Sequence, residues 1–319
     1  MELTVLGELL IDFTQAGESE NGMRLFEQNP GGAVANVATA AARLGHKTAF
    51  IGKVGNDMHG RFLARVLEEV GIDCRGLVFS DEAFTTLAFV ALDEKGERSF
   101  SFARKPGADT CLRPEELNRE LLQSSRILHV GSLSLTAEPA RSATLTAIRQ
   151  AKTAGSIISY DPNYRASLWE NEDQAREQMR SLLSMVDIMK LSDNETALLT
   201  DCSCPRQAAL ALNGRGIPCV AVTLGAAGAL VCVGGKTEIV SGFPVPAVRD
   251  TTGAGDAFWG GFLSRFLETG LKPEELHLSD AVEFARWGNA AAACCIQKRG
   301  AIPAMPDRDA VEADMKLNG

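Results

Sequence analysis

Short apolar runs alternate with amphipathic helical stretches along most of the chain. The runs occupy residues 3–10, 49–54, 127–131, 156–160, 188–191 and 219–224, and helical periodicity is found at 33–44, 61–70, 137–154 and 173–185. Successive strand–helix units form a parallel sheet with helices packed on both faces. The alternation therefore predicts an α/β fold of three layers, α/β/α, around a mostly parallel central sheet. Ligands of such folds bind beyond the carboxyl ends of the strands.

Two segments interrupt this alternation. Residues 13–30 are polar and contain glycine, with little helical period, and residues 85–104 have the pattern of a β-hairpin whose turn lies at 93–96. We expect the two segments to pair as a small sheet, a lid over the mouth of the site. The alternative is that both are ordinary surface excursions. No repeat or linker divides the chain, so we expect one domain spanning residues 1–319.

Charge and hydrophobicity argue against several classes of partner. The net charge of −9 is the opposite of what a nucleic-acid-binding surface requires. No apolar stretch reaches the ~20 residues needed to cross a bilayer, and the first residues lack the pattern of a signal peptide. We therefore expect a cytoplasmic protein whose eight cysteines are reduced thiols.

The most informative stretch is residues 250–263, which read Asp-Thr-Thr-Gly-Ala-Gly-Asp-Ala-Phe-Trp-Gly-Gly-Phe-Leu. A turn of small residues at 253–255 leads directly into an apolar helix, and the free N–H groups at a helix start form a site for anions such as phosphate. Phosphate would repel an aspartate there, so Asp256 is better suited to accept a proton from an attacking hydroxyl group. The helix terminus should keep Asp256 ionised and a weak base.

Other interpretations of this stretch fit less well. It lacks the lysine of a P-loop, and Phe258 stands where a dinucleotide-binding fingerprint has its third glycine. The glycines after residues 3–10 do not supply that fingerprint either, which argues against a nicotinamide-dependent sugar dehydrogenase. A structural alternative remains, in which Asp256 only caps its helix.

The stretch 250–263 resembles the C-terminal signature of ribokinase-like (pfkB-type) carbohydrate kinases. A second resemblance lies at 31–36, Gly-Gly-Ala-Val-Ala-Asn, followed by Gly45 and Gly55 at the family's spacing, although Val34 replaces a small residue. The resemblance runs from residue 3 to about 306 and implies a ribokinase-like fold. It assigns catalysis to Asp256 with the N–H groups of Gly253, Ala254 and Gly255, and sugar binding to Asp12, Gly31, Gly32 and Asn36.

The resemblance also implies ATP and Mg²⁺ as cofactors. Because Mg²⁺ keeps several waters in proteins, Glu195 is expected to act through metal-bound water. Ser192 replaces the asparagine of the family's metal segment, and Cys295 and Ala304 differ from ribokinase near the K⁺ site, which leaves a K⁺ requirement open. The expected nucleotide residues are Lys190, Glu195, Thr223, Gly225, Gly228 and Asn289, and the K⁺ residues are Asp250 and Gly300.

Two arginines bear on the identity of the sugar. Arg165 and Arg104 lie in segments, 161–169 and 104–109, that resemble bacterial fructokinases more than ribokinases. An arginine can bind a sugar oxygen or steady the transferred phosphate, although either could form a surface salt bridge instead. We therefore expect transfer of the γ-phosphoryl group of ATP to the 6-hydroxyl group of fructose.

Several alternatives to that activity remain open. The same residues would serve a kinase of 2-keto-3-deoxygluconate, ribose or a riboside such as aminoimidazole riboside. A protein that kept the fold but lost catalysis would instead be a sugar-binding regulator. The apolar face expected on a lid sheet adds the hypothesis of a homodimer formed through the lid.

Overall fold

The computed structural model describes residues 1–92 and 98–318. The turn predicted at 93–96 lies outside the described residues. The strands are β1 (Leu3–Leu6), β2 (Leu10–Glu18), β3 (Arg24–Gly31), β4 (Thr48–Gly55), β5 (Asp73–Ser80), β6 (Leu87–Leu92), β7 (Arg98–Ala103), β8 (Ile127–Gly131), β9 (Ile157–Asp161), β10 (Ile188–Ser192), β11 (Cys219–Thr223), β12 (Ala229–Val233) and β13 (Lys236–Val240). The helices are α1 (Ala33–Arg43), α2 (Met58–Val70), α3 (Arg119–Ser124), α4 (Ala140–Thr153), α5 (Glu172–Ser181), α6 (Thr196–Thr200), α7 (Pro205–Gly214), α8 (Ala254–Thr269), α9 (Leu278–Cys295) and α10 (Arg308–Asn318).

The described strands form one large sheet and one small one. The large sheet has the order β13-β12-β11-β10-β9-β8-β1-β4-β5. Its strands are parallel except β12, which pairs antiparallel with both β11 and β13 near one edge. The predicted α/β/α architecture with a mostly parallel central sheet is confirmed. One boundary was wrong: residues 3–10 do not form a single strand, because β1 ends at Leu6 and the chain leaves the large sheet before β2.

The two interrupting segments form the small sheet, with the order β3-β2-β6-β7. Its strands lie at residues 10–18, 24–31, 87–92 and 98–103, within or next to the two predicted insertions. Within it β2 pairs antiparallel with β3 and parallel with β6, while β6 pairs antiparallel with β7. We call β3-β2-β6-β7 the lid sheet.

The two faces of the large sheet pack against separate apolar clusters. Alternation along β1 sends Val5 into one cluster and Leu6 into the other. The first cluster includes α8, where the indole of Trp259 stacks on Phe262 with ring centroids 4.8 Å apart. Burying each such aromatic side chain contributes about 2–3 kcal/mol. Because most of α8 is buried, the helix that carries Asp256 is held firmly against the sheet.

Helices α1 and α8 are in close contact at Gly260. Gly260 lies against α1, and a Cβ atom at this position would collide with the Cβ of Ala40. The two helix starts are thereby brought side by side, and they carry Asn36 and Asp256. No helix among the described residues is long and apolar enough to cross a membrane.

Candidate active site

A cavity of about 540 Å³ opens at the carboxyl ends of the central strands. Its walls come from the segments that follow β1, β8, β9, β10 and β11, from the starts of α1 and α8, and from Leu10, Asp12 and Phe102 of the lid sheet. This is the edge at which parallel α/β sheets bind ligands. The predicted site residues that line it are Asp12, Gly32, Asn36, Arg165, Lys190, Glu195, Thr223, Gly225, Gly253, Ala254, Gly255 and Asp256. We call it the acceptor cavity.

A second cavity of about 680 Å³ adjoins the first. The two share Thr223, Gly225, Thr251, Ala254 and Gly255, so the start of α8 forms part of the wall of both. The second cavity is mainly apolar, and the predicted nucleotide residues Gly228 and Asn289 line it. We call it the apolar cavity; it has the character of a site for a flat aromatic ring.

Asp256 lies in the first turn of α8 and is only 8 % exposed. The side-chain amide Nδ2 of Asn36 donates a hydrogen bond to its Oδ2 at 2.7 Å. Burial raises the pKa of the Asp256 carboxyl group to about 6, against the opposing effect of the Lys190 charge. Asp256 is therefore ionised at neutral pH but is a stronger base than the sequence suggested, because burial outweighs the helix terminus.

The turn before Asp256 has the geometry of an anion site. Gly253 adopts φ +79°, in the left-handed region that favours glycine, and immediately precedes α8. The N–H groups of a first helical turn have no partner within the helix. The Ala254 N–H already makes a long bond of 3.3 Å to the Thr251 carbonyl oxygen, so an incoming phosphate would share or replace it. The N–H groups of Gly253 and Gly255, for which no protein acceptor is found among the described residues, are the other two donors of the turn.

Lys190 lies beneath this turn in a buried ion pair. Its Nζ donates to Asp161 Oδ2 at 2.6 Å, and the two side chains are 6 % and 2 % exposed. Burial lowers the pKa of Lys190, but the charges of Asp161, Glu195 and Asp256 more than offset this and the net shift is upward, so the ammonium group stays charged. Gly255 makes room for it, because a Cβ there would lie 3.0 Å from Nζ.

The paired glycines at the start of α1 create space at the other end of the acceptor cavity. Gly31 does not line the cavity; a side chain there would collide with the Asp12 carboxylate. Gly32 has φ +118°, and a Cβ on it would collide with the main-chain oxygen of Glu8. Burial raises the pKa of Asp12 to about 6, opposed by the charge of Arg165 and reinforced by Asp250 and Asp256. The absence of a side chain at Gly31 thus leaves room for the Asp12 carboxylate near Asn36 on the cavity wall.

The two arginines are placed differently. Arg165 is exposed, lines the acceptor cavity, and donates from Nη1 to the Tyr164 carbonyl oxygen at 3.0 Å. Arg104 does not line that cavity: its guanidinium pairs with Asp109 at 2.6 Å and donates to Leu133 O and Thr136 Oγ1. These contacts engage its guanidinium within the protein, and the expectation that Arg104 binds substrate stays a prediction. The guanidinium N–H groups of Arg104 connect the end of β7 to the segment after β8, through Leu133 and Thr136. The spacing of residues in the sequence does not reveal these contacts.

Glu195 has both carboxylate oxygens engaged by the protein. Oε1 accepts from the Tyr164 N–H at 2.6 Å, and Oε2 accepts from the N–H and hydroxyl of Ser192 at 2.7 and 2.8 Å. Direct metal ligation would disrupt these bonds, whereas a metal-bound water can share an oxygen. Among residues 1–92 and 98–318, no group of three or more His, Cys, Asp or Glu side chains forms a ready metal cluster.

The remaining predicted residues organise the backbone around the two cavities. Asn289 Nδ2 donates to the carbonyl oxygens of Val240 and Ser241, both at 3.0 Å, and so fixes a wall of the apolar cavity. Asp250 Oδ2 accepts from the Gly300 N–H at 3.0 Å, which brings the two predicted cation residues together. Sequence reasoning missed two buried carboxylates, Asp161 and Glu8. Both follow or end a strand at the carboxyl edge, and that position was the available signal.

Comparison with known proteins agrees with this geometry. The profile of the pfkB family carbohydrate kinase matches residues 1–308. The chain belongs to the pfkB family of carbohydrate kinases. It is therefore a phosphotransferase with an alcohol group as acceptor, which uses a nucleotide and a divalent metal ion.

The relatives of this kinase include plant and bacterial enzymes. It is 44% identical over 310 residues to fructokinase-1 of Zea mays, covering 96% of this chain and 95% of that protein. The fructokinase of Vibrio cholerae O395, solved with fructose, ADP and calcium ion, superposes with TM-score 0.88 at 36% identity over 98% of both chains. Aminoimidazole riboside kinase of Salmonella enterica, solved with its riboside and an ATP analogue, gives TM-score 0.85 at 30% identity, covering 99% of this chain and all of that one.

Proposed function

We propose that this kinase transfers the γ-phosphoryl group of ATP to the 6-hydroxyl group of fructose. The observation that carries the proposal is the position of Asp256, a buried carboxylate on the acceptor cavity at the helix start that also borders the apolar cavity. The 44% identity to a plant fructokinase and the 36% identity to a fructokinase solved with fructose favour this sugar.

Asp256 is proposed as the base that takes the proton of the sugar hydroxyl. Asn36 holds one carboxylate oxygen, which leaves the other free to face the acceptor. The N–H groups of Gly253, Ala254 and Gly255, with the nearby Lys190 ammonium, would stabilise the charge of the transferred group. Phosphoryl transfer depends mainly on such positioning and electrostatics, so the arrangement matches the chemistry.

Asp12, Gly32 and Asn36 are proposed to hold the sugar. The side-chain oxygen Oδ1 of Asn36 is buried and has no hydrogen-bond partner among the described residues. A buried acceptor without a donor is costly, and a sugar hydroxyl is a suitable donor. Arg165 is proposed to contact a sugar oxygen or the transferred phosphate from the open side of the cavity.

The nucleotide is proposed to occupy the apolar cavity and to extend its phosphates toward the start of α8. Thr223, Gly225, Gly228 and Asn289 would bind it, and Lys190 would lie near the phosphates. Glu195 would hold Mg²⁺ through water; when bound, the ion neutralises phosphate charge. Asp250 and Gly300 are proposed as a K⁺ site, because the Gly300 N–H is hydrogen-bonded to Asp250 Oδ2 close to the turn at 253–255.

The chain is proposed to be one kinase domain, residues 1–319, closed by the lid sheet. Phe102 of that sheet already forms part of the acceptor wall, and closure would exclude water that could otherwise hydrolyse ATP. The lid sheet also exposes Leu25, Phe26 and Phe89, each at least 39 % exposed. We propose a homodimer through this face; sedimentation velocity showing only monomer at micromolar concentration would count against it.

A panel of sugars tests the proposed function directly. With purified protein and MgATP, ADP formation should be fastest with fructose, with kcat/KM at least about tenfold above ribose, aminoimidazole riboside and 2-keto-3-deoxygluconate. The control is 6-deoxyfructose, which lacks the acceptor hydroxyl and should give no turnover. A higher kcat/KM for another sugar would reassign the substrate, and no turnover with any sugar would favour a non-catalytic regulator.

A further inference from the structure

Glu8 is a buried carboxylate on the acceptor cavity that has no role in the mechanism above. It follows β1, lines the cavity and is only 2 % exposed. Its Oε1 accepts a hydrogen bond from the Ala33 N–H at 2.7 Å. Its Oε2 is buried and has no hydrogen-bond partner among the described residues.

One part of this arrangement has a purely structural explanation. Gly32, at the N-cap position of α1, has no side chain with which to cap the helix. The Oε1 atom of Glu8 takes over that task for Ala33, the first residue of α1. Capping nevertheless accounts for only one of the two oxygens.

The second oxygen needs a different explanation. A carboxylate oxygen withdrawn from water without a donor is destabilising, and native proteins rarely leave one so. Burial accordingly raises the pKa of Glu8 to about 7. The neighbours of Glu8 on the cavity wall are Gly32 and Asn36, the residues already proposed to hold the sugar. Because Glu8 lines the acceptor cavity while Oε1 stays bonded to the Ala33 N–H, Oε2 is the oxygen left for a ligand in that cavity.

We propose that Glu8 Oε2 accepts a hydrogen bond from one hydroxyl group of the bound sugar and thereby selects for substrates that carry it. The inference rests on the proposed function, since it requires a polyhydroxyl acceptor in this cavity. A site built to pair with a hydroxyl discriminates strongly against an analogue that lacks it, because a buried polar group is then left unpaired. Glu8 is thus a substrate-binding residue as well as a helix cap.

The substitution Glu8→Gln separates the two roles. Glutamine keeps an oxygen that can accept from the Ala33 N–H, but it replaces the second oxygen with an NH₂ group, which cannot accept a hydrogen bond. We expect kcat/KM for fructose to fall roughly tenfold to a hundredfold, the range for a lost bond to a charged group, while KM for ATP is unchanged.

Fructose analogues that each lack one hydroxyl distinguish sugar binding from a purely structural role. If Glu8 only capped the helix, the ratio of kcat/KM between the two proteins would be the same for every analogue. Wild-type protein and Glu8→Gln are compared with the 1-deoxy, 3-deoxy, 4-deoxy and 2,5-anhydro analogues. For the analogue that lacks the partner of Glu8, the two proteins should have nearly equal kcat/KM. If the variant lowers kcat/KM by the same factor for every analogue, or does not lower it at all, the proposal is overturned.

Two controls keep this test decisive. Asn171→Ala removes the cap of α5, where Asn171 Oδ1 accepts from the Gln174 N–H at 2.8 Å, and should lower stability without changing KM for fructose. If Glu8→Gln does not fold, a crystal structure of the unmodified protein with fructose decides instead. A sugar oxygen within about 3.2 Å of Oε2 supports the proposal, and an Oε2 without sugar contact overturns it. If wild-type protein phosphorylates no sugar, the proposed function itself has failed, and the inference falls with it.

Discussion

Replacing Asp256 by asparagine is expected to lower kcat by at least about 100-fold while fructose binding is retained, the scale of a lost general base. The asparagine side chain has nearly the same shape and can still accept the hydrogen bond from Asn36 Nδ2. It cannot take a proton from the sugar hydroxyl at neutral pH. Steady-state kinetics give kcat, and calorimetric titration with fructose gives the binding constant.

Two comparisons make that result specific. Asp309→Asn makes the same chemical change at an exposed position of α10 and should leave kcat unaltered. The wild-type kcat/KM should also fall as the pH decreases through about 6, because protonation of Asp256 removes the base. Protonation of Glu8, whose pKa is about 7, adds an earlier decline, and that part should be absent in Glu8→Gln. Because Asp12 has a similar pKa, its protonation could contribute to the same decline. In Asp12→Asn that contribution is removed, and the fall in kcat/KM caused by Asp256 should remain. Near-normal turnover in Asp256→Asn would remove this residue from the mechanism.

Replacing Lys190 by methionine is expected to lower the free energy of unfolding by roughly 3–5 kcal/mol. The lysine and Asp161 form an ion pair of 2.6 Å in which both side chains are almost fully buried. The second oxygen of Asp161, Oδ1, has no hydrogen-bond partner among the described residues. Without Lys190 the carboxylate would be left buried and uncompensated. Urea denaturation at pH 7 measures the loss.

A double variant tests whether the unpaired charge is the cause. Asp161→Asn combined with Lys190→Met removes both charges and should recover most of the lost stability. As a matched control, Lys152→Met breaks the partly exposed pair with Asp187, 3.0 Å long, and should cost no more than about 1 kcal/mol. An unchanged midpoint in Lys190→Met, or a double variant less stable than the single one, would contradict this explanation.

Local patterns account for the parts of the fold that sequence predicted well. The alternation of strand and helix follows from periodicity within short windows, and it gave the mostly parallel sheet and the two lid segments. The small-residue turn at 253–255 and the glycines at 31–32 are likewise local signals, because each reflects a backbone that needs glycine.

Long-range packing accounts for what the sequence did not reveal. Arg104 has the sequence context of a substrate ligand, yet it is neutralised by Asp109 and held by Leu133 across the fold. The partner of Lys190 lies 29 positions away on another strand. The raised pKa of Asp256 is due chiefly to burial, which no motif encodes. Such features depend on which residues meet in three dimensions.

A crystal structure with fructose and a non-hydrolysable ATP analogue tests the central claim most directly. We expect a carboxylate oxygen of Asp256 to lie within about 3.2 Å of the fructose 6-hydroxyl oxygen, with the terminal phosphate against the N–H groups of residues 253–255. A sugar bound with its 6-hydroxyl facing away from Asp256, or a terminal phosphate distant from the start of α8, would contradict it.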